Sequence, residues 1–310
     1  PGEWRQVNDV DLLRAAGFSD ATALVTAVEG TAPFNAYAVF NDNLSNDGSF
    51  VPALPAEAAG GDLVVPVVVE TAAFESELVL HNPSASPVRA TLMYAESLAS
   101  PRGVVGSAAF DLGPGAQTIV PGILDVLRGL GVPVGPRGAA AYAGTLSVSF
   151  RAAGGAALPG LAGAKTAAAA TGACAGKGSY GLFYVGLPAA SAAGVEAFVD
   201  GLQQTSTTRS NLAVANPSAT EPVTVRYEVR DGATGAVAFT SGPIALPPLG
   251  WAQVDRVLAG AAITEGWVRV RRESAGGSFL AYGVLNDGAS PGERTGDGSY
   301  VAGEAYYPPD

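Results

Sequence analysis

The chain has 310 residues, 28 acidic against 17 basic side chains, a net charge of −11, and 48% apolar but only 15% charged residues. An acidic chain whose only lysines are Lys165 and Lys177 has no basic stripe with which to release counterions from a phosphate backbone, so nucleic acid is excluded as a partner. No apolar run reaches the ~18 residues of a spanning helix before Gly, Pro, Arg or Asp interrupts it, and no transmembrane segment is expected.

The 41 glycines and 22 prolines far exceed their usual combined share of about 12%, which predicts many turns and few long helices. In chain order, a short helical turn is expected near residues 7–15, then come the segments 34–42 and 47–51 around the polar loop Asn41-Asp-Asn-Leu-Ser-Asn-Asp-Gly-Ser49. The small, Pro- and Gly-rich stretch 55–62 reads as a linker. Next come a strand into the turn Asn82-Pro-Ser84, a strand over 88–94, and a helical turn at 121–130 with proline at its start and glycine after its end. A strand over 144–150 precedes an Ala/Gly-rich insert, 152–176, and the tripeptide Gly178-Ser-Tyr180. A second linker-like stretch, 188–194, leads to a strand into Asn216-Pro-Ser218. In Val223-Thr-Val-Arg-Tyr-Glu-Val-Arg230 apolar and polar residues alternate, so one face is buried and the other wet. A third helical turn near 254–258, a strand at 267–271 and the segments 279–287 and 297–301 complete the chain.

The sequence repeats itself, and the repeats organise it. Residues 13–42 align without a gap on 258–287, with Phe34-Asn-Ala-Tyr-Ala-Val-Phe-Asn-Asp42 against Phe279-Leu-Ala-Tyr-Gly-Val-Leu-Asn-Asp287. After a loop five residues longer in the second copy, Asp47-Gly-Ser-Phe-Val51 meets Asp297-Gly-Ser-Tyr-Val301. Leu78-Val-Leu-His-Asn-Pro-Ser-Ala85 matches Leu212-Ala-Val-Ala-Asn-Pro-Ser-Ala219. A middle copy runs through Ile123–Arg128, Gly144–Phe150 and Gly178–Tyr180, without the Ala-Tyr and Asn-Asp signatures. The organisation read from these copies is the second half of a module over 1–58, a complete module with the Ala/Gly-rich insert over 59–187, and a complete module over 188–310.

Units of ~125 residues with about seven alternating strands fit an all-β fold of tandem antiparallel sandwich modules with one short helix each. In strand spacing and turn composition the whole chain resembles the tandem Ig-like β-sandwich modules of bacterial secreted and cell-surface proteins. That resemblance implies an extracellular or cell-surface location. The Cys and Trp hallmark of antibody domains is absent, so it carries architecture and not function.

Reactive groups are few. His81 is the only histidine and its counterpart is Ala215, so the repeat does not require an imidazole there, and a surface or turn residue is expected. One His and one Cys, Cys174, cannot assemble a His/Cys zinc site, and Cys174 reads as a small apolar residue. Proline in the middle position blocks Asn82 and Asn216 as glycan acceptors. The carboxylates Asp42, Asp47, Asp287 and Asp297, with Glu293 and the amide of Asn286 nearby, form the one candidate metal site, for Ca²⁺, which takes oxygen ligands from flexible loops. The competing reading is that Asn and Asp cap their own backbone and Asp-Gly closes a hairpin. Trp4, Trp251, Trp267, Tyr306 and Tyr307 are scattered and read as packing residues. The expected function is non-enzymatic: an extracellular structural or adhesive protein that needs no cofactor and acts through self-association or other surface proteins, a filament or surface-fibre subunit being one form of it. The alternative is an accessory module that binds polysaccharide or peptide.

Overall fold

The computed structural model describes residues 5–7, 20–30, 33–54, 61–101, 103–170, 176, 178–290 and 294–306, with the side chains of 305 and 306 left aside. The expected turn at 8–15, Trp4, Cys174, Lys177, Glu293 and Tyr307 lie outside them. The chain divides into two compact units, Pro1–Ala36 and Tyr37–Asp310. In the first, residues 20–30 form no strand and are exposed throughout, although the alignment equates them with a strand of the last repeat.

The second unit is mostly β, in antiparallel sheets. It opens with a hairpin, β1 (Tyr37–Asn41) and β2 (Gly48–Pro52). A first block follows: β3 (Leu63–Glu70), β4 (Phe74–His81), β5 (Val88–Glu96), β6 (Gly103–Leu112), β7 (Gln117–Val120), helix α1 (Ile123–Gly129), β8 (Tyr142–Arg151), β9 (Leu161–Ala169) and β10 (Ser179–Val185). One layer runs β7-β4-β9-β10 and the other β3-β8-β5-β6, joined at the single pair Glu70 and Glu75. β11 (Leu187–Pro188) returns to pair with β3.

The second block consists of β12 (Glu196–Gln203), β13 (Thr208–Ala215), β14 (Val223–Asp231), β15 (Val237–Thr240), β16 (Ile244–Leu246), β17 (Trp251–Val254), β18 (Glu265–Arg272), β19 (Leu280–Asp287), β20 (Gly298–Ala302) and β21 (Glu304–Tyr306). Its layers are β17-β13-β19-β20 and β15-β14-β18-β12-β21, with β16 also on β14. The connectivity of the first block is thus repeated, down to local irregularities. The pairing of β3 slips between Val65 and Val68, and that of β12 slips between Val199 and Leu202. A buried serine in the next strand accepts the preceding strand's N–H in both, Val69 to Ser76 and Gln203 to Ser210, each at 2.8 Å.

Alternation places the apolar set of each strand inward. Leu78, Leu80, Leu92, Tyr94, Leu146, Val148, Phe150 and Ala164 are fully buried in the first core, and Val199, Leu212, Val225, Val268, Val270 and Phe279 in the second. The Ala/Gly-rich stretch read as an insert contains β9, a strand paired on both sides, with β4 and with β10. Its small residues admit large neighbours: a Cβ at Gly160 would collide with the Phe150 ring, and one at Gly163 with Phe183. The expected linker at 188–194 is also packed, with Ala192 and Ala193 buried and Ala193 bridged to Phe279. Of the two expected helices among the described residues, the one at 121–130 forms as α1. Its counterpart is a 3-10 turn, Ala259–Ala261, where Gly260 interrupts the run and Arg256 and Ala262 adopt left-handed backbone.

The Asn-Pro-Ser turns are buried pins. Asn82 donates from Nδ2 to Ser86 O and Gly113 O, both at 2.8 Å, while its Oδ1 accepts Ser84 N–H at 3.0 Å. Asn216 repeats the pattern with Glu221 O at 2.7 Å, Pro247 O at 2.9 Å and Ser218 N–H at 2.9 Å. Both asparagines are fully buried, and each ties one turn to another about thirty residues on. His81, next to Asn82, is drawn inside with it, which corrects the expected surface histidine. It is buried, its Nδ1 has no hydrogen-bond partner, and burial lowers its pKa. Replacing Asn216 by Ala strands two carbonyls and one N–H in the interior and is expected to cost about 2–4 kcal/mol, read from urea unfolding, whereas Thr220→Ala on the same turn stays within ~0.5 kcal/mol.

Candidate functional site

Strand β10 ends its layer, so the N–H and C=O groups of Ser179 and Gly181 point away from β9 and need partners. The β1–β2 hairpin supplies them from side chains. Ser179 N–H donates to Asp42 Oδ2 at 3.1 Å and Gly181 N–H to Asp47 Oδ2 at 2.8 Å. Ser45 Oγ donates to Ser179 O at 2.6 Å and Ser49 Oγ to Gly181 O at 3.0 Å. Two carboxylates and two hydroxyls thereby stand in for a neighbouring strand. Gly178 is held at φ +88, and a Cβ there would collide with the Asp42 carboxylate, so glycine is required for this approach.

The four predicted metal ligands divide into two roles. Asp42 and Asp287 close their own loops. Asp42 Oδ1 accepts Leu44 N–H and Ser45 N–H, each at 2.9 Å. Asp287 Oδ2 accepts Thr295 Oγ1 at 2.6 Å and Thr295 N–H at 3.2 Å, and its Oδ1 pairs with Arg294 Nε at 2.6 Å. These donors hold both carboxyls below the usual carboxylate range, backbone N–H groups foremost for Asp42 and the Thr295 hydroxyl for Asp287. A cation at either would have to displace N–H and O–H donors that are already seated.

Asp47 and Asp297 instead come together, although 250 positions separate them in the sequence. They are the same position in two copies of the hairpin, and they meet beside β10. Asp47 is buried, Oδ1 of Asp297 is buried without a hydrogen-bond partner, and burial, reinforced by the neighbouring Asp47 carboxyl, pushes Asp297 up to about 7. Among the described residues no three carboxylate, imidazole or thiol groups gather closely enough to hold a metal ion. Asn286 is buried and donates to Val284 O.

Behind this pair, the two blocks are joined by an aromatic seam that sequence reasoning missed. Tyr184 of β10 lies edge-on to Tyr282 of β19 and Tyr300 of β20, with ring centroids 5.6 and 5.9 Å apart, and Tyr282 stacks on Tyr300 at 5.4 Å. Trp251 Nε1 donates to the Tyr282 hydroxyl at 2.9 Å, and its backbone N–H donates to Ser97 Oγ at 3.0 Å. Tyr282 and Val284, on the face of β19 turned away from the second core, complete the first core. Burial pushes the Tyr184, Tyr282 and Tyr300 phenols upward. Trp267 packs elsewhere, against Phe198 at 5.9 Å and under the Arg230 guanidinium.

A second polar cluster sits over the β3–β4 turn. Arg128 pairs with Glu70 at 2.7 Å and Asp125 at 2.8 Å, and Arg137 with Glu75 and Asp125, each at 2.9 Å. Each of these charges answers another, so the cluster clamps α1 to the sheet.

No protein-family model matches the chain, and no curated protein is significantly similar to it.

Because the proton on Asp297 is favoured by folding, its contribution is complete below the carboxyl's ordinary value of 3.8 and is lost as pH rises through about 7. Asp297→Asn keeps the amide neutral throughout, so its melting temperature is expected to gain on the parent's across pH 4 to 7 and to hold that gain above pH 7. A gap between the two that does not change with pH would show that folding does not hold the proton on Asp297.

Proposed function

We propose that this chain is a non-enzymatic structural or adhesive protein built of tandem Ig-like β-sandwich modules, extracellular or at the cell surface, whose work is to assemble end to end. The observation that carries this reading is the seam: the outward face of one block completes the core of the block before it, through Tyr184, Tyr282, Tyr300 and Trp251. A contact made by two different surfaces of a repeated unit is heterologous, and copies of it extend a row rather than close a pair. Repetition of the bulge, the buried serine and the asparagine pin supports modules copied for their packing surfaces. The polar clusters add support, since their charged groups are spent on edges and turns.

Sedimentation and negative-stain microscopy of the purified chain test the reading. The expected outcome is a mass that grows with concentration and linear particles with a repeat of one chain. Compact single chains of 30.9 kDa at every concentration would overturn it.

A further inference from the structure

One strand of the repeat occurs three times, and in both complete blocks it has a neighbour on each side. β9 runs between β4 and β10, and β19 between β13 and β20. β1 is the third copy, and among the described residues it pairs with β2 alone. No described strand takes beside β1 the place that β4 and β13 fill in the blocks.

The last block gives the register that such a neighbour would have. Phe34–Asp42 aligns with Phe279–Asp287, so Ala38, Val39 and Phe40 stand where Gly283, Val284 and Leu285 stand in β19. Leu212 lies opposite Gly283, Asn211 opposite Val284 and Ser210 opposite Leu285. β4 keeps the pattern, with Leu78 opposite Ala164 and Ser76 opposite Thr166. Asp42 N–H donates to Asp47 O, so by alternation along the strand Val39 turns its N–H and C=O away from β2, toward the unpaired edge.

The side chains agree with an edge that lacks its cover. Ala164 and Gly283 are buried in the blocks, whereas their copy Ala38 is exposed, with Val39 52% and Phe40 54% exposed beside it. Part of the packing is already in place. Lys165 lies over the Phe40 ring at 4.3 Å, and by register it is the first block's copy of Val284, the residue that the second block inserts into the first core.

We propose that the free edge of β1 is an acceptor for one strand of the β13 type, supplied by another polypeptide: a serine followed two and four residues on by apolar side chains and then by Asn-Pro. β4 and β13 are the two examples of that strand in this chain, Ser76, Leu78, Leu80 and Asn82-Pro83 in one and Ser210, Leu212, Val214 and Asn216-Pro217 in the other. Backbone pairing supplies the attraction and the alternate apolar side chains supply the selectivity. The edge is separate from the tyrosine seam, so this inference goes beyond the assembly reading, and either can fail without the other.

The test adds a fluorescein-labelled peptide with the sequence of residues 208–219 to the full chain and follows anisotropy. Saturable binding at one peptide per chain is expected, with none for the same residues in scrambled order. Val39→Pro removes the N–H that faces the edge and leaves the bonds to β2 in place, and it is expected to weaken binding about tenfold or more. A second measurement locates the peptide without a proline in the chain. With Cys174→Ala as background, Val39→Cys is expected to form a disulfide with a peptide carrying Asn211→Cys and not with its scrambled form. Absence of saturable binding would overturn the acceptor. So would binding that gives no adduct at Val39→Cys, since the peptide would then be seated at another edge or in place of β13.

Discussion

A strand at the rim of a sheet leaves alternate N–H and C=O groups without partners, and the arrangement of Tyr37–Asp310 follows from how β10 meets that requirement. Among the described residues no further strand pairs with its outer edge. Asp42, Asp47, Ser45 and Ser49 reach across from the hairpin and satisfy four backbone groups one by one. Side-chain capping of this kind fixes the hairpin against the block without fusing the two into one continuous sheet. It also explains why polar residues crowd a loop that has no other evident chemistry.

The same constraint governs the cores. The outward face of β19 is as apolar as its inward one where the first block lies over it, which is why Tyr282 and Val284 belong to the first core while their neighbours Ala281 and Phe279 belong to the second. Strand alternation gives a sheet one face by default. A second apolar face on the same strand means that a second layer must cover it, and the hydrogen bond from Trp251 N–H to Ser97 Oγ ties the two blocks together there.

Legibility in the sequence followed chemistry rather than position. The strands with strict alternation, Val223–Asp231 and Tyr142–Arg151, and the repeated hairpins at 37–52 and 280–302 were readable, because Val, Tyr and Phe at period two leave little ambiguity. β9 was not, because alanine and glycine carry no alternation, and its small side chains are explained only by Phe150 and Phe183 lying over it. Gly178-Ser-Tyr180 looked like a third copy of Gly298-Ser-Tyr300, yet in the paired register β10 is displaced by three residues, with Leu182 where Ser299 stands. The four aspartates were found, but their division into two loop closers and one facing pair was hidden, since nothing in either copy shows that the two copies adjoin. The asparagine pins were read only as turns, because proline and serine signal a turn and burial leaves no local mark.

Both hairpins are fastened by one clasp. Asp42 N–H donates to Asp47 O and Asp287 N–H to Asp297 O, each at 2.8 Å, and a hydroxyl two residues before the second aspartate braces it, Ser45 in one and Thr295 in the other. The clasp is the same although it spans residues 43–46 in the first hairpin and 288–296 in the second. By the logarithmic law of chain closure, that difference costs under about 1 kcal/mol. Register is therefore set at the neck, and extra length between the first aspartate and the bracing hydroxyl is tolerated, which makes the longer loop after Asp287 the natural place on this scaffold to graft a foreign peptide.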